Sequence, residues 1–101
     1  MIYKLHWNSI AEIALQEESY FILLKWNAEE VQNFIDLVNE NLERLSKNPK
    51  IGIYNKKLII YYLVISKQTT LYYDFNIETN VIELHLFWNN LKNPKDLIKL
   101  L

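Results

Sequence analysis

The chain has no cysteine, one glycine, two prolines and, among eleven basic residues, a single arginine, Arg44. Without cysteine there is no disulfide, thiolate zinc site, iron–sulfur cluster or cysteine nucleophile, which suits a reducing compartment. One glycine, Gly52, excludes a glycine-rich phosphate loop and is expected at a turn or bulge. One arginine leaves bidentate phosphate clamps scarce. The net charge of −1 lacks the basic excess of proteins that live on nucleic-acid backbones. The residues after Met1 form no apolar signal core. The longest apolar run, Leu58 to Ile65, is too short to cross a bilayer, so a cytoplasmic protein with no membrane contact is expected.

What is present is half apolar. The 101 residues suffice for one domain, 1–101. A domain of this size buries a modest share of its surface, so it gains from a partner.

Tyr3 to Trp7 alternates apolar and polar residues and predicts a first strand. Ser9-Ile10-Ala11-Glu12 has the spacing of a capping box. It opens a helix over Ile10 to Lys25, with Ile10, Ile13, Ala14, Tyr20, Phe21 and Leu24 as its inward stripe and Glu17 at the stripe's edge. Asn27 to Glu30 repeats the capping logic. A second helix then runs to about Lys47, with Val31, Phe34, Ile35, Val38, Leu42 and Leu45 inward, and Asn48-Pro49 ends it. So short a connection predicts an antiparallel helical hairpin. Beyond Pro49 the period becomes strand-like. Ile51 to Tyr54 reads as a short strand or extended loop, Lys57 to Ser66 as a strand, Thr70 to Asn76 as its return, and Val81 to Trp88 as the last. Asp96 to Leu101 is a short helix or tail. The expected class is α+β, β-α-α-β-β-β(β), with the helical hairpin on one face of a mostly antiparallel sheet. The core should include Leu5, Trp7, Phe34, Val38, Leu42, Val64 and Leu84.

One feature departs from the usual pattern. An antiparallel sheet alternates apolar and polar residues when one face meets water, yet Leu58 to Ile65 is apolar on both faces. The second face calls for the chain's own tail, sheet curvature or another chain.

The order of elements resembles the RelE/ParE toxin superfamily, the toxins of type II toxin–antitoxin systems, which include the plasmid stabilisation proteins. Tyr3-Lys4-Leu5-His6-Trp7-Asn8-Ser9-Ile10-Ala11 is similar to the opening of these bacterial proteins. Phe34, Leu42, Leu45, Asn48, Pro49 and Gly52 are similar to the end of their second helix, and Leu71-Tyr72-Tyr73 to a middle strand. Ile82-Glu83-Leu84 with Phe87-Trp88-Asn89-Asn90-Leu91-Lys92-Asn93-Pro94 resembles the closing strand and the segment after it. The resemblance implies a toxin silenced by a cognate antitoxin that wraps it. It also implies one of two actions: ParE-like binding of DNA gyrase, or RelE-like cleavage of mRNA on the ribosome.

RNA cleavage by the 2′-hydroxyl needs a base, cations for the phosphorane and an acid for the leaving oxygen. Where the resemblance places arginines, this chain has Tyr61 and Leu91. Asn89 and Asn90 stand near where an acid is expected, and amides cannot supply a proton. The substitutes are Lys56, Lys57, Lys50, Lys92 and Lys95 for charge, and His85 or Tyr61 for proton transfer. Each has a plainer reading. The lysines suit a solvated strand entry, His85 a cross-strand surface position, and Tyr61 sheet packing; His6 ranks lower. Tyr61, Tyr62, Tyr72, Tyr73 and Trp88 could stack on nucleotides, but no basic residues interleave them. Two histidines on separate strands make no metal site, and no cofactor is expected. The leading reading is therefore a non-enzymatic binding toxin. Its alternatives are an endoribonuclease using lysines and a degenerate toxin that keeps only antitoxin binding. The expected partner surface holds Tyr61, Tyr62, Lys57, Asn89, Asn90 and Lys92, with the lysines forming a rim for an acidic partner, and the exposed helical hairpin is the alternative place for the partner to dock; a homodimer or a hetero-oligomer with the antitoxin is also expected.

Overall fold

The computed structural model describes residues 2–101. Strand β1 (Lys4–Trp7) leads into helices α1 (Ser9–Lys25) and α2 (Ala28–Lys47). A 3-10 turn at Pro49–Ile51 precedes β2 (Ile53–Asn55), β3 (Ile60–Val64), β4 (Thr69–Asn76), β5 (Val81–Asn89) and α3 (Pro94–Leu100). The strands form one five-stranded sheet in the order β1-β5-β4-β3-β2. Every pairing is antiparallel except β1 on β5, which is parallel. This is the α+β arrangement that the sequence predicts.

Asparagines start the helices. Asn8, one residue earlier than the expected Ser9, caps α1 by accepting from the Ile10 amide at 2.7 Å. Asn27 caps α2 through the Glu30 amide at 2.9 Å, and Asn93 caps α3 through Lys95 at 3.0 Å. A carboxamide oxygen satisfies an amide that the first helical turn leaves unpaired.

The helices differ in how they meet the sheet. On α2, Phe34, Val38, Leu42 and Leu45 are buried as expected. On α1 the expected stripe is wrong. Ile10, Ile13, Tyr20, Phe21 and Leu24 are exposed, while Ala11 and Glu18 are buried and Ala14, Leu15 and Ile22 are half-buried against the core. The helix is apolar around most of its circumference, so apolar spacing could not tell the two sides apart. Small residues face the sheet because α1 lies close over β5.

The main core lies between the helices and Leu71, Tyr73, Ile82, Leu84 and Phe87 of the sheet. A bulge governs which β5 residues reach it. Tyr73 pairs with Leu84 and Tyr72 with Leu86, so His85 has no cross-strand partner. The extra residue shifts the phase of the strand. Ile82 and Leu84 before it and Phe87 after it therefore all join the helix-side core, and Asn89 reaches Glu18 of α1.

Gly52 answers a close approach rather than a turn or bulge. A methyl group there would meet the Tyr73 hydroxyl and would sit 2.6 Å from the Tyr62 carbonyl. The Tyr73 hydroxyl donates to the Pro49 carbonyl at 2.6 Å and accepts from the Gly52 amide at 3.1 Å. Burial pushes the Tyr73 phenol up to about 12.

The apolar run that gave the third strand its two-sided character divides three ways. Leu58 and Ile59 belong to the β2–β3 turn, where the Asn55 side chain accepts from the Lys57 and Leu58 amides, each at 3.0 Å. Ile60 and Ile65 are buried. Val64, expected in the core, is 57 % exposed. On the far side of the sheet, Leu97 of α3 packs with Leu86 and Trp88, and Leu58 and Tyr72 flank them. The chain's own C-terminal helix thus covers the β4–β5 part of that face.

Candidate functional site

The residues predicted to carry chemistry lie on separate elements of the chain. Lys56 and Lys57 are exposed in the β2–β3 turn. Tyr61 lies on the helix side of β3, with ring centroids 5.0 Å from Tyr54, 5.6 Å from Tyr73 and 5.0 Å from Phe75. Its neighbour Tyr62 takes the opposite face, 6.2 Å from Tyr72. His85 is half-buried at the bulge. Lys92 follows β5 and stands 5.8 Å from the Trp88 ring. Asn90 accepts from the Thr70 hydroxyl at 3.0 Å and donates to the Lys67 carbonyl at 3.3 Å. His6 pairs with Glu83 at 2.5 Å across the β1–β5 ladder. Tyr61 shares a broad hollow of about 730 Å³ with Lys50, Asp74, Glu78 and Glu83. There carboxylates outnumber cations, so it would repel a phosphate. Among the described residues no group of His, Cys, Asp and Glu could hold a metal ion, and no helix is long and apolar enough to cross a membrane.

Asn89, placed by the sequence reading on the partner surface, lies inside. Its amide nitrogen donates to Glu18 Oε2 at 3.4 Å, and its oxygen accepts from the Leu91 amide at 2.8 Å. The Thr69 hydroxyl donates to the same Glu18 oxygen at 3.3 Å. Burial raises the Glu18 carboxyl above its ordinary value, against the lowering pull of the Asn89 and Thr69 hydrogen bonds and of the Lys92 charge. A buried carboxylate held only by two long neutral hydrogen bonds is costly, and Glu18 tethers α1 to the ends of β4 and β5. Sequence reasoning dwelt on Glu17 and missed Glu18. The available signal was the Ala11, Ala14, Glu18, Ile22 spacing, which marks one helical face.

The helical hairpin, the second surface that the sequence reading offered to a partner, is apolar on its outer side. Tyr20, Leu23, Leu24 and Trp26 of the hairpin are exposed large apolar residues. Between α1 and α2, on the side away from the sheet, runs an apolar groove of about 510 Å³ lined by Leu15, Tyr20, Leu23, Ala28, Val31 and Ile35, among others. Apolar surfaces of this kind are common at binding sites.

The fold as a whole is similar to that of a chain in the crystal structure of the RelBE2 toxin–antitoxin complex from Mycobacterium tuberculosis. The TM-score is 0.62 at 12 % identity, over 89 % of this chain and 100 % of that one. The fold is RelE/ParE-like. No protein-family model and no curated protein matches the sequence, so the likeness lies in the arrangement of elements.

Proposed function

We propose that this chain is the toxin of a type II toxin–antitoxin pair, held silent by a cognate antitoxin on its helical hairpin. In this reading it acts by binding a protein target such as DNA gyrase rather than by cutting RNA. The observation that carries the reading is the exposed apolar hairpin, in a fold shared with a chain of a toxin–antitoxin complex. Surfaces of this kind are costly in a protein that works alone. The scatter of His85, Tyr61, Lys56, Lys57 and Lys92 supports binding over catalysis, because a phosphorane needs cations and a proton donor within reach of one phosphate.

The test has two parts. Induced expression should arrest growth, and co-expression of the protein encoded by the adjoining reading frame should relieve it. The purified chain should leave ribosome-bound mRNA intact. Robust cleavage on ribosomes, lost in His85→Ala or Lys57→Ala, would establish the endoribonuclease instead. Binding of the neighbour without growth arrest would identify a toxin that has lost its action and kept its partner.

A further inference from the structure

Glu18 is 5 % exposed, and the fold uses only one of its two oxygens. The hydrogen bonds from Thr69 and Asn89 both fall on Oε2. Oε1 receives none among the described residues, and Glu18 belongs to no ion pair among them. A carboxylate can accept at both oxygens, so half of its capacity is idle. Every sealed side-chain nitrogen or oxygen among the described residues has a partner. Oε1 has none and is therefore not sealed. The space that Glu18 lines is a cavity of about 350 Å³ between α1 and the end of β5, shared with Glu17, Phe21, Asn89, Leu91 and Lys92. That volume lies toward the lower end for small-molecule sites. Glu17, Glu18 and Phe21 fall on the opposite side of α1 from Leu15, Ser19 and Leu23, which line the groove against α2, as the helical repeat requires. The cavity and the groove are separate.

The charges around the cavity come in both signs. Glu17 and Glu18 are negative. Lys92 lines one wall with its ammonium 5.8 Å from the Trp88 ring. Lys25 stands 5.7 Å from the ring of Phe21, another wall. Both lysines lie over aromatic rings and neither pairs with Glu18. Phe21 and Leu91 supply apolar surface. A plain anion would meet the two carboxylates, and a plain cation would meet the two lysines. A neutral apolar group would shut Oε1 away from water with nothing to bond it, which is costly. No group of residues among those described could hold a metal ion.

We infer that this cavity binds a small zwitterion, an α-amino acid with an apolar side chain. Its ammonium donates to Glu18 Oε1, its carboxylate faces Lys92, and its side chain lies between Phe21 and Leu91. The charge-assisted hydrogen bond gives Glu18 the counter-charge that the fold withholds. The ligand thereby joins α1 to the end of β5 more firmly than the two long hydrogen bonds do alone. This inference does not rest on the toxin–antitoxin reading.

The experiment adds L-leucine to the isotope-labelled full-length chain and follows its amide resonances. The signals of Thr69, Asn89 and Leu91 should move, with a dissociation constant of about 1 mM or tighter. Two analogues each lack one charge. Isoamylamine keeps the ammonium and isocaproate keeps the carboxylate, and each should bind about tenfold more weakly than leucine or worse. Glu18→Gln should weaken leucine about tenfold or more, with the remaining resonances unmoved to show that the variant is folded. Lys92→Met should weaken leucine severalfold and strengthen isoamylamine, a reversal that loss of packing alone would not produce. Isoamylamine binding as tightly as leucine would overturn the inference. So would unchanged leucine affinity in Glu18→Gln or in Lys92→Met, shifts centred on the groove between the helices, or no movement of the Thr69 and Asn89 signals at high leucine concentration.

Discussion

The two helices lie side by side over the same sheet and are built on opposite principles. Helix α2 keeps its large side chains inward, and its outer face is charged. Helix α1 turns alanines and a carboxylate inward and leaves its largest apolar side chains in solvent. The first is a stabilising element. The second stabilises little for its apolar content, and the fold leaves its outward face to water. Mean apolarity therefore does not report burial: the more apolar helix is the less buried one.

Phenylalanine provides the sharpest test, because each helix carries one. Phe34 on α2 is 7 % exposed and Phe21 on α1 is 40 % exposed. Thermal or urea unfolding should show Phe34→Ala costing about 3–5 kcal/mol, and Phe21→Ala about 1 kcal/mol or less. Equal costs would break the contrast between the helices. Tyr73→Phe probes the tightly packed side. It removes the hydroxyl that joins Pro49 and Gly52 and leaves their backbone groups short of a partner, at a cost of about 1–3 kcal/mol.

Glu18 tests the loosely committed side by pH. Burial raises its folded-state carboxyl above the ordinary 4.5, so the folded protein holds the proton more tightly than the unfolded chain. The stability this contributes is fully present below the unfolded value and is lost as pH rises through the folded one. Glu18→Gln should remove that decline and be at least as stable as wild type at pH 7. A clear loss of stability at pH 7 would mean that the charged form is favoured where it lies. The smallest effect belongs to Leu24→Gln on the exposed face of α1, which should change stability by about 0.5 kcal/mol or less while improving solubility.

The class, the order of elements and the α2 core were legible because they rest on period and punctuation: a clean helical stripe, asparagine caps and a proline stop. What was not legible rests on distances between segments remote in sequence. Nothing local told that Asn89 meets Glu18, because the His85 bulge shifts the phase of β5 on the way there. Nothing local told that Gly52 makes room for Tyr73. Leu58 and Ile59 read as strand because they are apolar and β-compatible, yet Asn55 folds that stretch into a turn, with Ile59 at φ 56°. The apolar run Leu58 to Ile65 read as one two-faced strand, whereas it divides into turn, buried and exposed residues. Which side of α1 faces the sheet could not be read, because its apolar residues spell a core stripe as well as an exposed one.

The parallel pairing of the first strand with the last has a consequence for synthesis. The sheet cannot close until Asn89 has left the ribosome, whereas the helical hairpin is complete some forty residues sooner. At ordinary elongation rates that interval is roughly two to eight seconds. Throughout it the hairpin shows water two apolar sides, the one the sheet will take and the one it never will. On the proposed toxin–antitoxin reading, a partner that docks on the hairpin could engage the outward side before the rest of the chain exists, so a newly made molecule would be captured before it is complete.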